Sequence, residues 1–141
     1  GFSLYAPRRK ASPDPDLQGF LSAARQVAKL PPIRLSPEAI VEFVFFPVVN
    51  EGCRVCDEGI VDKVADLDIA TVLSMGFPAY RGGLMHWGDT YGAKYLVKRL
   101  NQFAAMVPQH AGFFKPCDYM LRCARTGASL ASPPPSSKAK L

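Results

Sequence analysis

Two of the four cysteines form a Cys53-x-x-Cys56 pattern, a spacing used by zinc sites and by redox-active thiols. The other pair, Cys117 and Cys123, is spaced C-x5-C, and neither histidine lies at a ligand spacing from either pair. The first pair also falls within a helical pattern, whereas thioredoxin-like motifs open a helix after a strand. Free cysteine behaves as a small buried hydrophobe. We therefore expect structural, reduced cysteines, and a zinc module on Cys53 and Cys56 is the weaker alternative.

The other polar residues form no recognisable catalytic set. Of the two histidines, His86 stands beside Trp87, where a core or rim position is the more common role, and His110 lies in a predicted loop. The carboxylates between residues 57 and 68 cluster near predicted helix ends, which is typical of capping. The patterns G-x-S-x-G, G-x-G-x-x-G and H-E-x-x-H are missing. The sequence therefore predicts no catalytic, cofactor-binding or metal-binding residue in this chain.

The segment MGFPAYRGGLMHW, residues 75–87, combines turn-forming residues with large apolar side chains. Glycine and proline favour a turn, and aromatic side chains favour burial. We predict a tightly packed loop that leads into a helix, with four side chains buried: Phe77, Tyr80, Leu84 and Trp87. Arg81 lies beside the predicted helix start, where backbone amides and a guanidinium could hold a phosphate or a carboxylate. Hydrogen bonds from Arg81 to the carbonyls of a neighbouring helix are the favoured alternative.

The elements that position these residues are predicted to be helices, because apolar residues recur at intervals of three and four and no run alternates with period two. The predicted helices run from Leu17 to the stop at Pro31-Pro32, over 37–58 and 65–74, from Gly83 through Trp87, and over 93–107 and 116–125. This pattern predicts an all-α domain of five to six helices. Ser36-Pro37-Glu38 is typical of a helix start. Gly76 and Gly127 fit left-handed helix ends.

The same spacing predicts which side chains point into the core. Inward positions are Leu67, Ile69, Ala70 and Leu73 on the third helix, and Tyr95, Leu96, Leu100 and Phe103 on the fifth. Outward positions are Asp66, Asp68, Lys94, Lys98 and Arg99. Pro47 lies inside the second helix and should kink it.

The bulk composition predicts one folded domain, since 141 residues with 48% hydrophobic and 21% charged side chains can bury a core. The net charge of +5 is modest and the basic residues are scattered, so RNA or another polyanion is a low-ranking partner. No apolar run approaches the ~18 residues of a membrane span. Residues 128–141 are rich in Ser, Pro and Lys, and we expect a disordered tail that buries nothing.

The last three residues, Ala139-Lys140-Leu141, match the peroxisomal address exemplified by S-K-L. A small residue, a basic residue and leucine at the end of an accessible tail are what an import receptor captures. The sequence therefore predicts a peroxisomal location and an import receptor as a partner.

Residues 45–100 resemble the last helical domain of the multifunctional proteins of fatty acid β-oxidation. The resemblance rests on an ordered set of motifs: Pro-Val-Val-Asn-Glu (47–51), Ala-Asp-Leu-Asp-Ile-Ala (65–70), Gly-Phe-Pro (76–78), and Arg-Gly-Gly (81–83) followed by an aromatic residue. It continues weakly from Phe113 to Gly127. In this family an enoyl-CoA hydratase part is fused to an NAD-dependent L-3-hydroxyacyl-CoA dehydrogenase part. The C-terminal tripeptide is most similar to that of the peroxisomal, or glyoxysomal, plant members.

The resemblance implies three parts. Residues 1–16 would end the preceding dehydrogenase C-terminal domain and form a linker, 17–127 would be the second helical 3-hydroxyacyl-CoA dehydrogenase C-terminal domain, and 128–141 the targeting tail. In the family the second helical copy packs against the first, which implies a domain-packing motif here: Phe77, Pro78, Tyr80, Arg81, Gly82, Gly83 and Trp87. The partners would be the preceding dehydrogenase domains of the same longer protein.

The resemblance also implies what this chain lacks. The hydratase glutamates, the glycine-rich NAD loop and the dehydrogenase His-Glu pair of the family belong to earlier parts, and none has a matching position here. NAD would therefore be bound by the parent enzyme and not by this chain. The alternative is a non-enzymatic basic helical binding module with a protein or RNA partner, for which salt-sensitive RNA binding is expected.

Overall fold

The computed structural model describes residues 2–5, 10–29 and 32–134. Contacts divide the chain into two units, residues 1–34 and 35–141. The first unit contains an antiparallel hairpin in which β1 (Ser3–Tyr5) pairs with β2 (Ala11–Pro13), and Leu4 lies opposite Ser12. This hairpin was not predicted from the sequence, because strands of three residues are too short to show an alternating pattern.

The helix of the first unit, α1, spans Leu17–Ala28 and matches the predicted start at Leu17. None of its residues is buried. Two large side chains of its apolar stripe, Phe20 and Val27, are 68% and 85% exposed. The periodic spacing therefore located the helix correctly, but its apolar face is open to solvent.

The second unit is built from helices that follow the predicted order. They are α2 (Pro37–Asp57), α3 (Val64–Met75), a 3-10 turn (Ala79–Arg81), α4 (Leu84–Tyr91), α5 (Ala93–Met106), a 3-10 segment (Pro108–Phe114) and α6 (Asp118–Thr126). The all-α prediction is confirmed, and the six α-helices in the described residues agree with the predicted number.

Local sequence signals explain where these helices begin and end. The Ser36 hydroxyl accepts a hydrogen bond from the Ala39 amide at 3.2 Å, and proline occupies the first turn of α2. Gly76 and Gly127 end α3 and α6 with φ of 69° and 74°, the left-handed conformation that glycine adopts without a steric penalty. The predicted caps are therefore confirmed.

The core of the second unit lies between α2, α4, α5 and α6. Its fully buried large side chains come from each of these helices and from the segment after α6: Phe46, Val49, Cys53, Met85, Leu96, Leu100, Phe103, Met120, Cys123 and Leu130. Trp87 is the centre of an aromatic cluster, with ring centroids 5.7 Å from Phe46 and 5.2 Å from Tyr91. α3 packs on α4 at the edge of this core.

Two positions on α5 differ from their predicted faces. Tyr95, expected inward, is 39% exposed, whereas Arg99, expected outward, is partly buried. The reason is Glu42, a 7% exposed carboxylate on α2. Its oxygens accept hydrogen bonds from the Tyr95 hydroxyl at 2.8 Å and from Arg99 Nε at 2.6 Å. A buried carboxylate needs such partners, so it draws the guanidinium inward.

The prediction that residues 128–141 bury nothing is wrong for Leu130. Its side chain is 0% exposed, and its amide donates to Asp89 Oδ1 at 2.7 Å. The Tyr119 hydroxyl donates to the Leu130 carbonyl oxygen. The predicted disorder of residues 135–141, together with the tripeptide at 139–141, lies outside the described residues.

In the part of the chain that the structure describes, every helix is too short or too polar to cross a membrane.

Candidate functional site

The loop at residues 75–87 divides its aromatic side chains between the core and the surface. Phe77 and Trp87 are 8% and 6% exposed, and Leu84 is buried as well, as predicted. Tyr80, also expected to be buried, is 83% exposed, so that prediction is wrong. Phe77 and Trp87 already fill the space beside α2, with ring centroids 5.9 Å apart. The 3-10 turn that follows therefore presents Tyr80 outward, with the Arg81 guanidinium 5.3 Å from its ring centroid.

Two glycines allow the loop to enter α4. Gly83, the N-cap residue of α4, has φ of 109°, and a Cβ at this position would lie 2.3 Å from Asp68 Cβ and 2.6 Å from the Asp68 Cα. Gly82 has φ of 80°, and its Cβ would lie 2.5 Å from the His86 ring. At both positions the backbone conformation favours glycine, and a neighbouring residue lies too close for a Cβ atom.

Asp68 caps α4 from a neighbouring helix. Its Oδ1 accepts hydrogen bonds from the Met85 amide at 2.7 Å and the His86 amide at 3.0 Å. Thr71 of α3 adds its hydroxyl oxygen, which accepts from the Leu84 amide at 3.3 Å. The prediction that Asp68 faces outward is therefore wrong, because the unpaired amides of a helix start attract a carboxylate.

This cap bears directly on the anion-clamp hypothesis for Arg81. The amides of Met85 and His86, which a bound phosphate or carboxylate would need, are already occupied by Asp68. The guanidinium of Arg81 lies over the ring of Tyr80 at the surface. The described geometry therefore disfavours an anion site at the start of α4.

Replacing Asp68 with alanine should destabilise the second unit by about 1–2 kcal/mol, the usual cost of removing a helix cap. Asp66→Ala is the matched control, because Asp66 is an exposed carboxylate on the same helix. It should change the free energy of unfolding by no more than about 0.5 kcal/mol. Urea unfolding followed by circular dichroism measures both values. Equal losses in the two variants would show that Asp68 contributes only as a charge near the start of α3.

The four cysteines are all free in the structure, and the reduced state expected for them stays a prediction. Cys53 and Cys123 are 0% exposed, Cys117 is 9% exposed and Cys56 is partly buried. In the described part of the chain, no group of three or more His, Cys, Asp or Glu side chains is placed to hold a metal ion, so the zinc alternative gains no support.

Cys117 is the N-cap residue of α6, and its surroundings lower the pKa of its thiol. Its sulfur accepts a hydrogen bond from the Met120 amide at 3.5 Å. The interaction with Cys53, followed by the Met120 amide and the Arg54 charge, lowers the pKa of Cys117 to about 7 against the opposing effect of burial. The pKa of Cys53 is raised by its interaction with Cys117 and by its burial. Cys117 therefore holds the negative charge of the pair more readily.

The surface of the second unit carries two apolar patches. The first, here called the groove face, lines a groove of about 360 Å³ and includes Val41 and Phe45 of α2 and Pro78, Tyr80 and Arg81 of the loop. The second, the α3 stripe, consists of exposed Ile69, Leu73 and Met75. Ile69, Ala70 and Leu73 were predicted to pack, and they are exposed because the opposite side of α3 faces α4.

These features define a helical unit of one family. A family model described as "3-hydroxyacyl-CoA dehydrogenase, C-terminal domain" matches residues 40–130, so the chain belongs to that family. Over its whole length the chain is 48% identical to the glyoxysomal fatty acid beta-oxidation multifunctional protein MFP-a of Cucumis sativus. It is 45% identical to the peroxisomal fatty acid beta-oxidation multifunctional protein MFP2 of Arabidopsis thaliana, again over its whole length.

A more distant relative is the fatty acid oxidation complex subunit alpha of Vibrio vulnificus, which is 36% identical over 97 residues. That alignment covers 69% of this chain and 13% of the bacterial protein. The chain spans about 20% of the length of the two plant proteins. It therefore corresponds to one part of relatives that are several times longer.

Proposed function

We propose that this chain is the C-terminal helical part of a peroxisomal multifunctional protein of fatty acid β-oxidation. In that protein it supports the NAD-dependent L-3-hydroxyacyl-CoA dehydrogenase part by packing against it, and it supplies no catalytic residue itself. An enoyl-CoA hydratase part belongs to the same longer protein, and NAD is bound outside this chain. The C-terminal Ala139-Lys140-Leu141 directs import into the peroxisome, or glyoxysome.

The observation that carries the packing role is the apolar surface that the second unit leaves open. Tyr80 is 83% exposed and Val41 is 44% exposed on the groove face, and Leu73 on the α3 stripe is 80% exposed. Ile69 and Met75, on the same stripe, are each 59% exposed. Exposed apolar patches of this kind mark interaction sites. A chain that spans a fifth of its relatives has neighbouring domains available to cover them.

The seven residues of the packing motif contribute to this role in two ways. Phe77, Gly83 and Trp87 lie inside the unit, where they fix the turn against α2 and α3. Pro78 and Tyr80 remain at the surface, together with Arg81. Tyrosine and arginine are enriched at interfaces because each buries a large area while keeping a polar group paired. The buried part of the motif thus presents the exposed part to a neighbour.

A charge-introduction experiment in the whole multifunctional protein tests this packing. Val41→Glu combined with Tyr80→Glu should lower the Tm of the dehydrogenase part by roughly 5 °C and reduce its activity, because two carboxylates would be buried without partners. Met106→Glu is the matched control, since Met106 is 41% exposed and lies outside the groove. Differential scanning calorimetry and NADH formation are the measurements. An unchanged dehydrogenase in the double variant would overturn the proposal.

The lack of intrinsic catalysis is tested on the chain alone. The purified 141-residue chain should not oxidise NADH in the presence of acetoacetyl-CoA, because the dehydrogenase groups lie in other parts of the longer protein. Absorbance at the NADH band records the reaction. Steady NADH oxidation that scales with the amount of chain would contradict the proposal.

A further inference from the structure

We propose that α1 is a docking helix that packs its apolar side on the domain that precedes this chain in the longer protein. This side is here called the α1 stripe and consists of Leu17, Phe20, Leu21, Ala24, Val27 and Ala28. The inference rests on the proposed function, since it takes the attached neighbour to be the dehydrogenase part. It concerns the first unit, whereas the groove face and the α3 stripe belong to the second.

The sequence of α1 is poorly suited to form a helix by itself. The helix has 12 residues, a length at which an isolated helix is marginal in water even for a favourable sequence. Gly19 lies in its interior, where glycine is unfavourable. Among the described residues, the N-cap Asp16 makes no side-chain capping hydrogen bond, and Lys29 ends the helix with φ of 51°, which is uncommon for a residue other than glycine. The stability of α1 must therefore come from packing.

The α1 stripe is the side of the helix that lacks this packing. Its residues recur at intervals of three and four, the pattern of a helix that lies with one side against a core. Leu17 and Leu21 are only partly buried, and Phe20 and Val27 are largely exposed. A surface that covers the stripe is therefore expected outside the residues that the structure describes.

The position of α1 along the chain indicates which surface this is. The family model begins at residue 40, so α1 lies ahead of the matched helical domain. The chain spans about 20% of its two plant relatives, and only the short hairpin segment lies between Gly1 and α1. A domain joined through so short a segment is held at a millimolar effective concentration. This tether favours the attached domain over a second copy of the chain.

The charges of α1 specify the chemistry of the partner surface. Residues 17–29 contain two cations, Arg25 and Lys29, and no carboxylate. Both cations are exposed near the end of the helix, and Arg25 follows Leu21 by four residues, so it borders the α1 stripe. Complementary charges fix the orientation in which two surfaces meet. The matching surface is therefore an apolar groove with carboxylates at the end that receives the last turns of α1.

An anionic membrane is the second candidate surface, and the polar side of α1 argues against it. Helices that lie on membranes carry many lysine and arginine residues on their polar face. The polar side of α1 instead presents Gln18, Ser22 and Gln26, all of them exposed. Two cations near one end of the helix supply little attraction to anionic lipid. A protein surface is the better match.

Hydrogen exchange of α1 in the whole multifunctional protein tests the docking. The amides of residues 21–28 should exchange at least about tenfold more slowly there than in the 141-residue chain, because the helix can open only after it undocks. Phe20→Glu combined with Val27→Glu should abolish this protection, since docking would bury two carboxylates without partners. Gln18→Glu combined with Gln26→Glu is the matched control, because it adds the same charge on the polar side and should keep the protection. Mass spectrometry of deuterated peptides gives the rates.

Several results would overturn the inference. Equal exchange of α1 in the longer protein and in the 141-residue chain would do so, and so would equal effects of the two double variants. Protection of the 141-residue chain that rises with its concentration to the level of the longer protein would assign the α1 stripe to a second copy. Protection that appears only with vesicles of phosphatidylcholine and phosphatidylserine would assign it to a membrane.

The outcome for α1 can be separated from the outcome for the second unit. If α1 is unprotected in the longer protein but Val41→Glu with Tyr80→Glu still lowers the Tm, this inference fails and the packing role stands. If α1 is protected and that double variant leaves the dehydrogenase unchanged, this inference stands and the packing role of the groove face fails.

Discussion

Gly83→Ala is expected to destabilise the second unit by about 4 kcal/mol or more, enough to unfold it under mild conditions. With φ of 109° and ψ of 169°, Gly83 occupies a region that is essentially restricted to glycine. A Cβ at this position would also lie 2.4 Å from Asp68 Oδ1 and 2.6 Å from the Asp68 Cα. The backbone atom cannot rotate away, so α3 and α4 would have to separate and the cap on α4 would be lost.

Gly92→Ala is the matched control for this prediction. Gly92 is also the N-cap of a helix and has φ of 80° and ψ of 142°, but a Cβ there would meet no atom within 4 Å. Gly92→Ala should therefore lower the free energy of unfolding only by the conformational strain of the backbone, about 1–3 kcal/mol. Urea denaturation followed by circular dichroism gives the free energy of unfolding for both variants. If Gly83→Ala costs no more than Gly92→Ala, the close approach of α3 to the start of α4 is not a major constraint.

Asn50→Ala is the second substitution with a large expected effect, a loss of about 3 kcal/mol. Asn50 is 0% exposed, and its amide group binds both the Lys115 carbonyl and the Cys117 amide. Alanine would leave the Cys117 amide without its partner, which costs about 1–3 kcal/mol, and would add the loss of packing at a filled site. Arg54 would keep its hydrogen bond to the Lys115 carbonyl, which limits the damage on that side.

Asn50→Asp separates the hydrogen bonds of Asn50 from its volume, and Asn101→Ala serves as the control. Asn50→Asp keeps an acceptor for the Cys117 amide but places a second oxygen against the Lys115 carbonyl, so it should be nearly as destabilising as alanine. Asn101→Ala, at an exposed site on α5, should change the free energy of unfolding by no more than about 0.5 kcal/mol. Thermal unfolding monitored by circular dichroism provides the comparison. A stable Asn50→Asp variant would indicate that the second hydrogen bond contributes little.

The helices could be predicted from the sequence, but the side-chain contacts between the helices could not. Helix bounds depend on local signals, such as the Ser36 cap and the left-handed ends at Gly76 and Gly127, and these were predicted correctly. The roles of Asp68 and Arg99 depend on partners far away in the chain, at the start of α4 and on α2. Periodicity assigns a charged residue to solvent unless such a partner is known, so both residues were placed wrongly.

The candidate site was predicted in the same partial way. Burial of Phe77 and Trp87 followed from their size and from the turn residues around them, and the structure places both in the core. Burial of Tyr80 did not occur, because the space beside α2 is already filled by those two rings. That a neighbouring domain covers Tyr80 in the longer protein stays a prediction.

The cap that Asp68 provides for α4 couples the opening of two helices. α4 has 8 residues, too few to persist without tertiary support, and its first amides are bonded to side chains of α3. Amide hydrogens of Met85 and His86 can therefore exchange with deuterium only when α3 moves away. In a native-state exchange experiment these two amides should share the opening free energy of α3, so that the pair of helices behaves as a single cooperative foldon.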